Sequence, residues 1–68
     1  MIHCNLSTIL GTKRLKISDV SKATGLNRST ITVLYNDTAK RIDLKAIYKI
    51  CKFLECGIDE LFTIQFDD

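Results

Sequence analysis

A glycine between two short helical segments constrains the fold of this chain more than any other feature. Ser18 and Asp19 predict the start of the first helix, because a small polar residue caps free backbone N–H groups and an acid suits the helix dipole. Gly25 predicts its end, since glycine adopts the left-handed backbone of a helix C-terminus without a steric cost. Asn27 then caps a second helix, which we expect over residues 28–36. The centre of the chain is therefore two short helices joined by a tight turn.

The second of these helices has two different faces. Ile31, Leu34 and Tyr35 recur at helical spacing and predict a buried face. The opposite face carries a base with small polar and aliphatic side chains, namely Arg28, Ser29, Thr32, Val33 and Asn36. This arrangement is typical of a helix-turn-helix, whose second helix lies in the major groove of DNA. The alternative is a solvated helix face that happens to include one valine.

The same capping and periodicity signals predict further helices on either side. They are residues 6–14 after Asn5 and residues 44–55 between Asp43 and Gly57, and a fifth short helix over residues 59–62 is one option. Residues 63–66 alternate polar and apolar side chains, as do Ile2 and Cys4, which is the pattern of half-buried strands. We therefore expect an all-α domain spanning residues 1–68. A short two-stranded pairing of the termini, within one chain or between two, remains open.

The predicted helix over residues 44–55 has an unusually wide apolar face. At about 100° per residue, its apolar side chains cover an arc of roughly 220°. They are Leu44, Ala46, Ile47, Tyr48, Ile50, Cys51, Phe53 and Leu54. Lys45, Lys49 and Lys52 form a stripe on the remaining side, and we expect Lys49 and Lys52 to be solvated. Because the arc is wider than one core requires, we expect another element or a second subunit to cover part of it.

The net charge of +2 is divided unevenly along the chain. All ten Lys and Arg residues and three acids lie within residues 1–52, which therefore carry +7. Residues 53–68 contain five acids and no base, and carry −5. This polarity suits a small domain that docks one end on a polyanion such as DNA. The alternative is a chance division of charge in a short chain.

The three cysteines predict neither a disulfide framework nor a standard metal site. Their number is odd, and the N-terminus lacks a signal-peptide pattern. His3 and Cys4 could join Cys51 and Cys56 as a zinc site if the N-terminus packs on the fourth helix. The spacing matches no zinc ribbon or finger, however, so we expect structural cysteines and no cofactor.

Enzymatic and membrane functions lack the residues that they require. The single histidine has no nucleophile and acid arranged around it, and no glycine-rich phosphate loop is present. No apolar run approaches the roughly 20 residues of a membrane span. We expect a non-enzymatic, cytoplasmic protein with no membrane partner.

Over about residues 5–62, the chain resembles the small Cro/repressor-like (XRE-type) helix-turn-helix proteins of phages and bacteria. The residues that carry this resemblance are Val20, Ser21, Thr24, Gly25, Leu26, Ser29, Thr30, Ile31, Leu34, Tyr35 and Asn36. Two positions depart from the family pattern. Ser21 replaces a residue that is most often alanine, and Ile17 replaces a frequent glutamine, so one usual phosphate or base contact lacks its residue.

The resemblance implies sequence-specific binding of double-stranded DNA by a five-helix domain, usually as a homodimer on a palindromic operator. The residues expected to contact bases are Asn27, Arg28, Ser29, Thr32 and Val33. Those expected at phosphates are Ser18, Asn36, Lys40 and Arg41, which Lys45 joins by its place in the first turn of the fourth helix. The alternative function is a protein-interaction module, antitoxin-like or sigma-like, that binds a protein partner through the apolar face of helix 44–55.

Overall fold

Five helices and a two-stranded sheet make up the computed structural model of the protein, which describes residues 1–66. In chain order they are β1 (Ile2–Cys4), α1 (Leu6–Lys13), α2 (Ile17–Thr24), α3 (Arg28–Tyr35), α4 (Leu44–Leu54), α5 (Ile58–Leu61) and β2 (Phe62–Ile64). The five-helix prediction is confirmed, with shifts of one or two residues at most boundaries. Asp67 and Asp68, part of the acidic C-terminal charge, lie outside the described residues. Within residues 1–66, no helix combines the length and apolar composition that crossing a bilayer requires.

A single hydrophobic core joins all five helices and β1. Its buried side chains are Cys4, Leu6, Leu10, Val20, Ile31, Leu34, Ile47, Ile50, Leu54 and Leu61. Helix α2 packs against both α3 and α4, while α1 packs against α3. Because α3 contributes only Ile31 and Leu34 to this core, its opposite face is directed outward.

The termini pair within the chain as an antiparallel sheet. Ile2 lies opposite Ile64, and Cys4 lies opposite Phe62. These four side chains share one face, because cross-strand partners and alternate residues point the same way. Asn5 occupies the N-cap of α1 as predicted but makes no side-chain capping bond. Its amide instead donates to the Thr63 hydroxyl at 2.8 Å and so ties α1 to the C-terminal strand.

Helix α2 begins two residues earlier than the sequence suggested, so Ser18 is not its cap. Lys16 occupies the N-cap, and its backbone N–H donates to the Asp19 carboxylate at 2.8 Å. Ser18 therefore lies inside the first helical turn. The prediction was wrong because Asp19 caps from within the helix, which leaves no requirement for a small polar residue at the cap itself.

Helix α4 starts as predicted and ends differently. The Asp43 carboxylate accepts a hydrogen bond from the Lys45 backbone N–H at 3.1 Å. At the other end Glu55, not Gly57, adopts the left-handed backbone with φ of 54°. The Glu55 and Cys56 N–H groups both donate to the Cys51 carbonyl, Cys56 at 3.1 Å, so this carbonyl at the helix end is satisfied. Gly57 is instead the N-cap of α5.

The wide apolar arc of α4 is only partly covered. Its centre is buried at Ala46, Ile47, Ile50 and Leu54. One flank stays outside, with Leu44 74% and Tyr48 65% exposed. Tyr35 was also predicted to be buried and is 37% exposed, because it lies at the edge of the core-facing side of α3. No element within residues 1–66 covers the Leu44 and Tyr48 flank.

Candidate nucleic-acid interface

The turn between α2 and α3 is held by side-chain hydrogen bonds as well as by glycine. Gly25 ends α2 as predicted, with φ of 75° and its N–H bonded to the Ser21 carbonyl at 2.9 Å. The Ser21 hydroxyl donates to the Leu26 carbonyl at 2.6 Å. The Thr24 hydroxyl donates to the Val20 carbonyl at 2.7 Å and accepts the Leu26 N–H at 3.3 Å. These bonds fix the direction in which α3 leaves the turn.

The five residues predicted to contact bases lie together on the outer side of α3. Asn27, Arg28, Ser29 and Val33 are exposed, and Thr32 is half-buried. At about 100° per residue, the four helical members span roughly 140° on the side away from the buried Ile31 and Leu34. Asn27 sits at the N-cap, where its side chain makes no capping bond. Its amide therefore remains available beside the first turn of the helix.

Four of the five residues predicted at phosphates follow α3 along the chain. Asn36 is the C-cap of α3, Lys40 and Arg41 lie in the loop before α4, and Lys45 is in the first turn of α4. All four are exposed. Ser18 lies apart from them on α2 and is half-buried. The arrangement thus joins an outward helix face to a basic segment at its C-terminal end.

The Lys and Arg side chains form no close ion pairs with acidic side chains among the described residues. All ten Lys and Arg side chains are exposed. Within residues 1–66, the single ion pair closer than 4.0 Å joins His3 to Asp37. The three acids of residues 1–52 each accept a backbone N–H, from Lys16 to Asp19, from Cys4 to Asp37 and from Lys45 to Asp43. The basic side chains therefore face solvent, which favours a polyanionic ligand.

Asp37 connects the end of α3 to the N-terminal strand, a role that the sequence did not indicate. Its backbone is left-handed, with φ of 57°. One carboxylate oxygen accepts the Cys4 N–H at 2.8 Å, and the other lies 3.0 Å from Nδ1 of His3. The Cys4 hydrogen bond, followed by that to His3, lowers the pKa of the Asp37 carboxyl. A left-handed non-glycine residue is most often Asn or Asp, which is the local signal available in the sequence.

The cysteines are arranged as packing residues. All three are free thiols, with Cys4 buried and with Cys51 and Cys56 half-buried. Burial raises the pKa of the Cys4 thiol, and burial together with the neighbouring Cys51 raises the pKa of the Cys56 thiol. A raised pKa keeps both thiols protonated and poorly nucleophilic. Among residues 1–66, no three His, Cys, Asp or Glu side chains converge in a way that would hold a metal ion.

Comparison with known proteins agrees with this geometry. A family model described as the Cro/C1-type HTH DNA-binding domain matches residues 5–67. The chain is also similar to a protein of Bacillus subtilis (strain 168) named "Uncharacterized HTH-type transcriptional regulator YozG". The two are 27% identical over 67 residues, which cover 98% of this chain and 80% of the relative. The family match includes α2, the turn and α3, together with the basic segment that follows.

Proposed function

The chain belongs to the Cro/C1-type helix-turn-helix DNA-binding family, and we propose that it regulates transcription by laying α3 in the major groove of an operator. The observation that carries this proposal is the outer face of α3, which is exposed and polar directly opposite Ile31 and Leu34. A helix presented in this way offers its N-terminal residues to base edges. We place the protein in the cytoplasm, where bacterial and phage DNA is transcribed.

Direct recognition of bases rests chiefly on Arg28. Its guanidinium can donate to both O6 and N7 of one guanine, a contact worth about 1–3 kcal/mol of discrimination. Ser29 and Thr32 carry hydroxyls that suit either base type, and the Val33 methyls suit the C5-methyl of thymine. Asn27 extends the same surface at the start of the helix. Together these side chains offer both hydrogen-bonding and apolar recognition.

Phosphate contacts would fix the register of α3 on the duplex without adding sequence preference. Lys40, Arg41 and Lys45 supply three positive charges close to the C-terminal end of α3, and Asn36 supplies an amide. Ser18 would contribute a hydroxyl from the start of α2. Because the protein is small and its recognition helix has eight residues, we propose that two copies bind together as a homodimer on a palindromic site.

Selection of bound sites from a random duplex library tests this function. We expect enrichment of a near-palindrome whose half-sites are centred about 10 base pairs apart, at both low and high salt. Specific base contacts should keep the same motif enriched at the higher salt, although total binding falls. Binding that is salt-sensitive and unenriched would contradict sequence-specific regulation and would favour the protein-interaction alternative.

A further inference from the structure

An apolar groove of about 430 Å³ lies between the terminal sheet, the loop before α4 and the start of α5. Four isoleucines that line it are between 46% and 64% exposed, namely Ile2, Ile42, Ile58 and Ile64. We call it the isoleucine groove. Its floor includes Leu34 and Phe62, so it continues the hydrophobic core to the surface. A cluster of exposed apolar side chains favours an interaction site more than single exposed apolar residues do.

We propose that a second copy of this chain occupies the isoleucine groove and that the groove is the homodimer interface. The inference rests on the proposed function, which requires a dimer, and adds where that dimer forms. The groove is apolar at its centre and carries charges of both signs, with Lys40 and Asp59 among its lining residues. Within residues 1–66 neither of these two side chains has an ion-pair partner.

Charge complementarity favours a copy of the same surface over other occupants. In a two-fold interface each side presents the same patch, so each Lys40 can meet the Asp59 of the partner copy. DNA would be repelled by Asp37 and Asp59, which both line the groove. An anionic membrane surface would be repelled for the same reason.

The sheet also directs the partner towards the groove. The backbone N–H of Cys4 points away from β2, and the Asp37 carboxylate occupies it. This contact blocks the outer edge of β1, where another strand would otherwise add. The apolar face of the sheet, where Ile2 and Ile64 lie side by side, is open to a second copy instead.

The position of the groove agrees with the proposed binding of DNA. Leu34 and Lys40 line it, so a two-fold axis there passes beside the C-terminal end of α3. The two recognition helices would then lie on either side of the axis, as a palindromic site requires. Lys40 is placed both at DNA phosphates and in the isoleucine groove, so the dimer is measured without DNA.

Sedimentation velocity over a range of protein concentrations tests the inference. We expect a species of twice the 7.7 kDa chain mass for the wild type. Ile58→Asp should raise the dimer Kd by at least about thirtyfold, the effect of a central interface residue. An acid at the first position of α5 suits the helix dipole, so this variant should keep its fold, as circular dichroism would show. Tyr48→Asp is the matched control, because Tyr48 is similarly exposed at 65% and lies outside the groove.

A charge exchange tests the orientation of the two copies. Lys40→Glu and Asp59→Lys should each weaken the dimer, and the double variant should recover wild-type association. A dimer that survives Ile58→Asp would overturn the inference, as would equal dissociation in Tyr48→Asp or a wild-type monomer at every concentration. Arg28→Ala separates the two proposals, since it should remain dimeric while losing sequence preference. A dimer that dissociates in Ile58→Asp but enriches no DNA site would support the groove and refute the proposed function.

Discussion

Arg28 lies at the first position of α3, exposed and without a nearby acid among the described residues. We expect Arg28→Ala to weaken binding to the selected site by about 1–3 kcal/mol and to relax preference at one base pair. The reason is the loss of a bidentate contact to guanine. Fluorescence anisotropy titrations against the site and its single-base variants measure both effects. Lys22→Ala is the control, because Lys22 is an exposed base on α2 outside the predicted contacts; equal losses in the two variants would contradict the assignment.

Asp37 makes stability depend on pH. Its pKa is lowered in the folded protein by the Cys4 and His3 hydrogen bonds, so the charged carboxylate stabilises the fold. This contribution is complete above the ordinary aspartate value of 3.8 and is lost as the pH falls through the lower folded pKa. We expect Asp37→Asn to melt at a lower temperature than wild type at neutral pH, and the difference to shrink in acid. Asparagine tolerates the left-handed backbone, so the comparison isolates the charge.

A difference between Asp37→Asn and wild type that stayed constant across the acid range would contradict a role for the charge. Circular dichroism melts at neutral pH and well below 3.8 provide the test. Asp19→Asn is the comparison variant, because Asp19 also accepts a backbone N–H and lies on a different helix.

Local chemistry predicted some of these residues and missed others for a physical reason. Gly25 and Asp43 end and begin helices as expected, because each acts on backbone within a few residues. Asp37 and His3 are separated by 34 positions, and their pairing exists only once β1 packs beside α3. The five predicted base contacts do lie on one exposed face, and their contact with DNA remains a prediction.

At the scale of elements, two glycines should respond oppositely to the same substitution. Gly11 lies within α1 with nothing within 4 Å of an added Cβ. We expect Gly11→Ala to stabilise the protein by about 0.5–1 kcal/mol, since alanine favours a helix. Gly25 has equal space but φ of +75°, so Gly25→Ala should destabilise by about 1–2 kcal/mol through left-handed strain.

Thermal melting distinguishes these two effects in one experiment. A change of 1 kcal/mol shifts the melting temperature of a domain of this size by about 4–8 °C. Gly11→Ala should melt above wild type and Gly25→Ala below it. A Gly25→Ala variant that melted at or above the wild-type temperature would show that the turn does not require a left-handed backbone at this position.

The elements themselves were largely predictable, and their ends were not always so. Four helices follow from periodicity and capping, whereas the fifth helix came with the family resemblance and the strand pairing was one of the open options. The prediction that Gly57 ends α4 was wrong, because Glu55 adopts the left-handed backbone there. Glycine would adopt that backbone with a smaller steric cost. The Cys56 N–H bonds to the Cys51 carbonyl at this earlier end. The left-handed backbone therefore occurs two residues before the glycine that was expected to supply it.

At the scale of the whole molecule, the separation of charge predicts a defined dependence on salt. Lys40, Arg41 and Lys45 would neutralise three phosphates per chain, which gives a log–log slope of about −2.7 per chain. We expect Arg41→Ala to reduce the magnitude of the slope by about 0.9 per chain and to weaken all sequences alike. Arg41 is used because it is exposed and does not line the isoleucine groove. Lys52→Ala, on the stripe expected to be solvated, serves as the control. An unchanged slope in Arg41→Ala would remove that residue from the phosphate contacts.

The isoleucine groove was beyond prediction because it is assembled from distant parts of the chain. Ile2, Ile42, Ile58 and Ile64 come from four separate segments. The sequence directed attention to the apolar arc of α4 instead, where Leu44 and Tyr48 are indeed exposed. An exposed surface made by both termini and a loop has no period along the chain, so no sequence pattern marks it.

Methylation protection on a selected operator tests the central claim most directly. Dimethyl sulfate modifies guanine N7 in the major groove and adenine N3 in the minor groove. We predict that the wild type protects guanine N7 in each half-site, and that Arg28→Ala loses protection at one guanine while Lys22→Ala retains it. Protection confined to adenine N3, or an unchanged pattern in Arg28→Ala, would contradict a recognition helix that lies in the major groove with Arg28 on its bases.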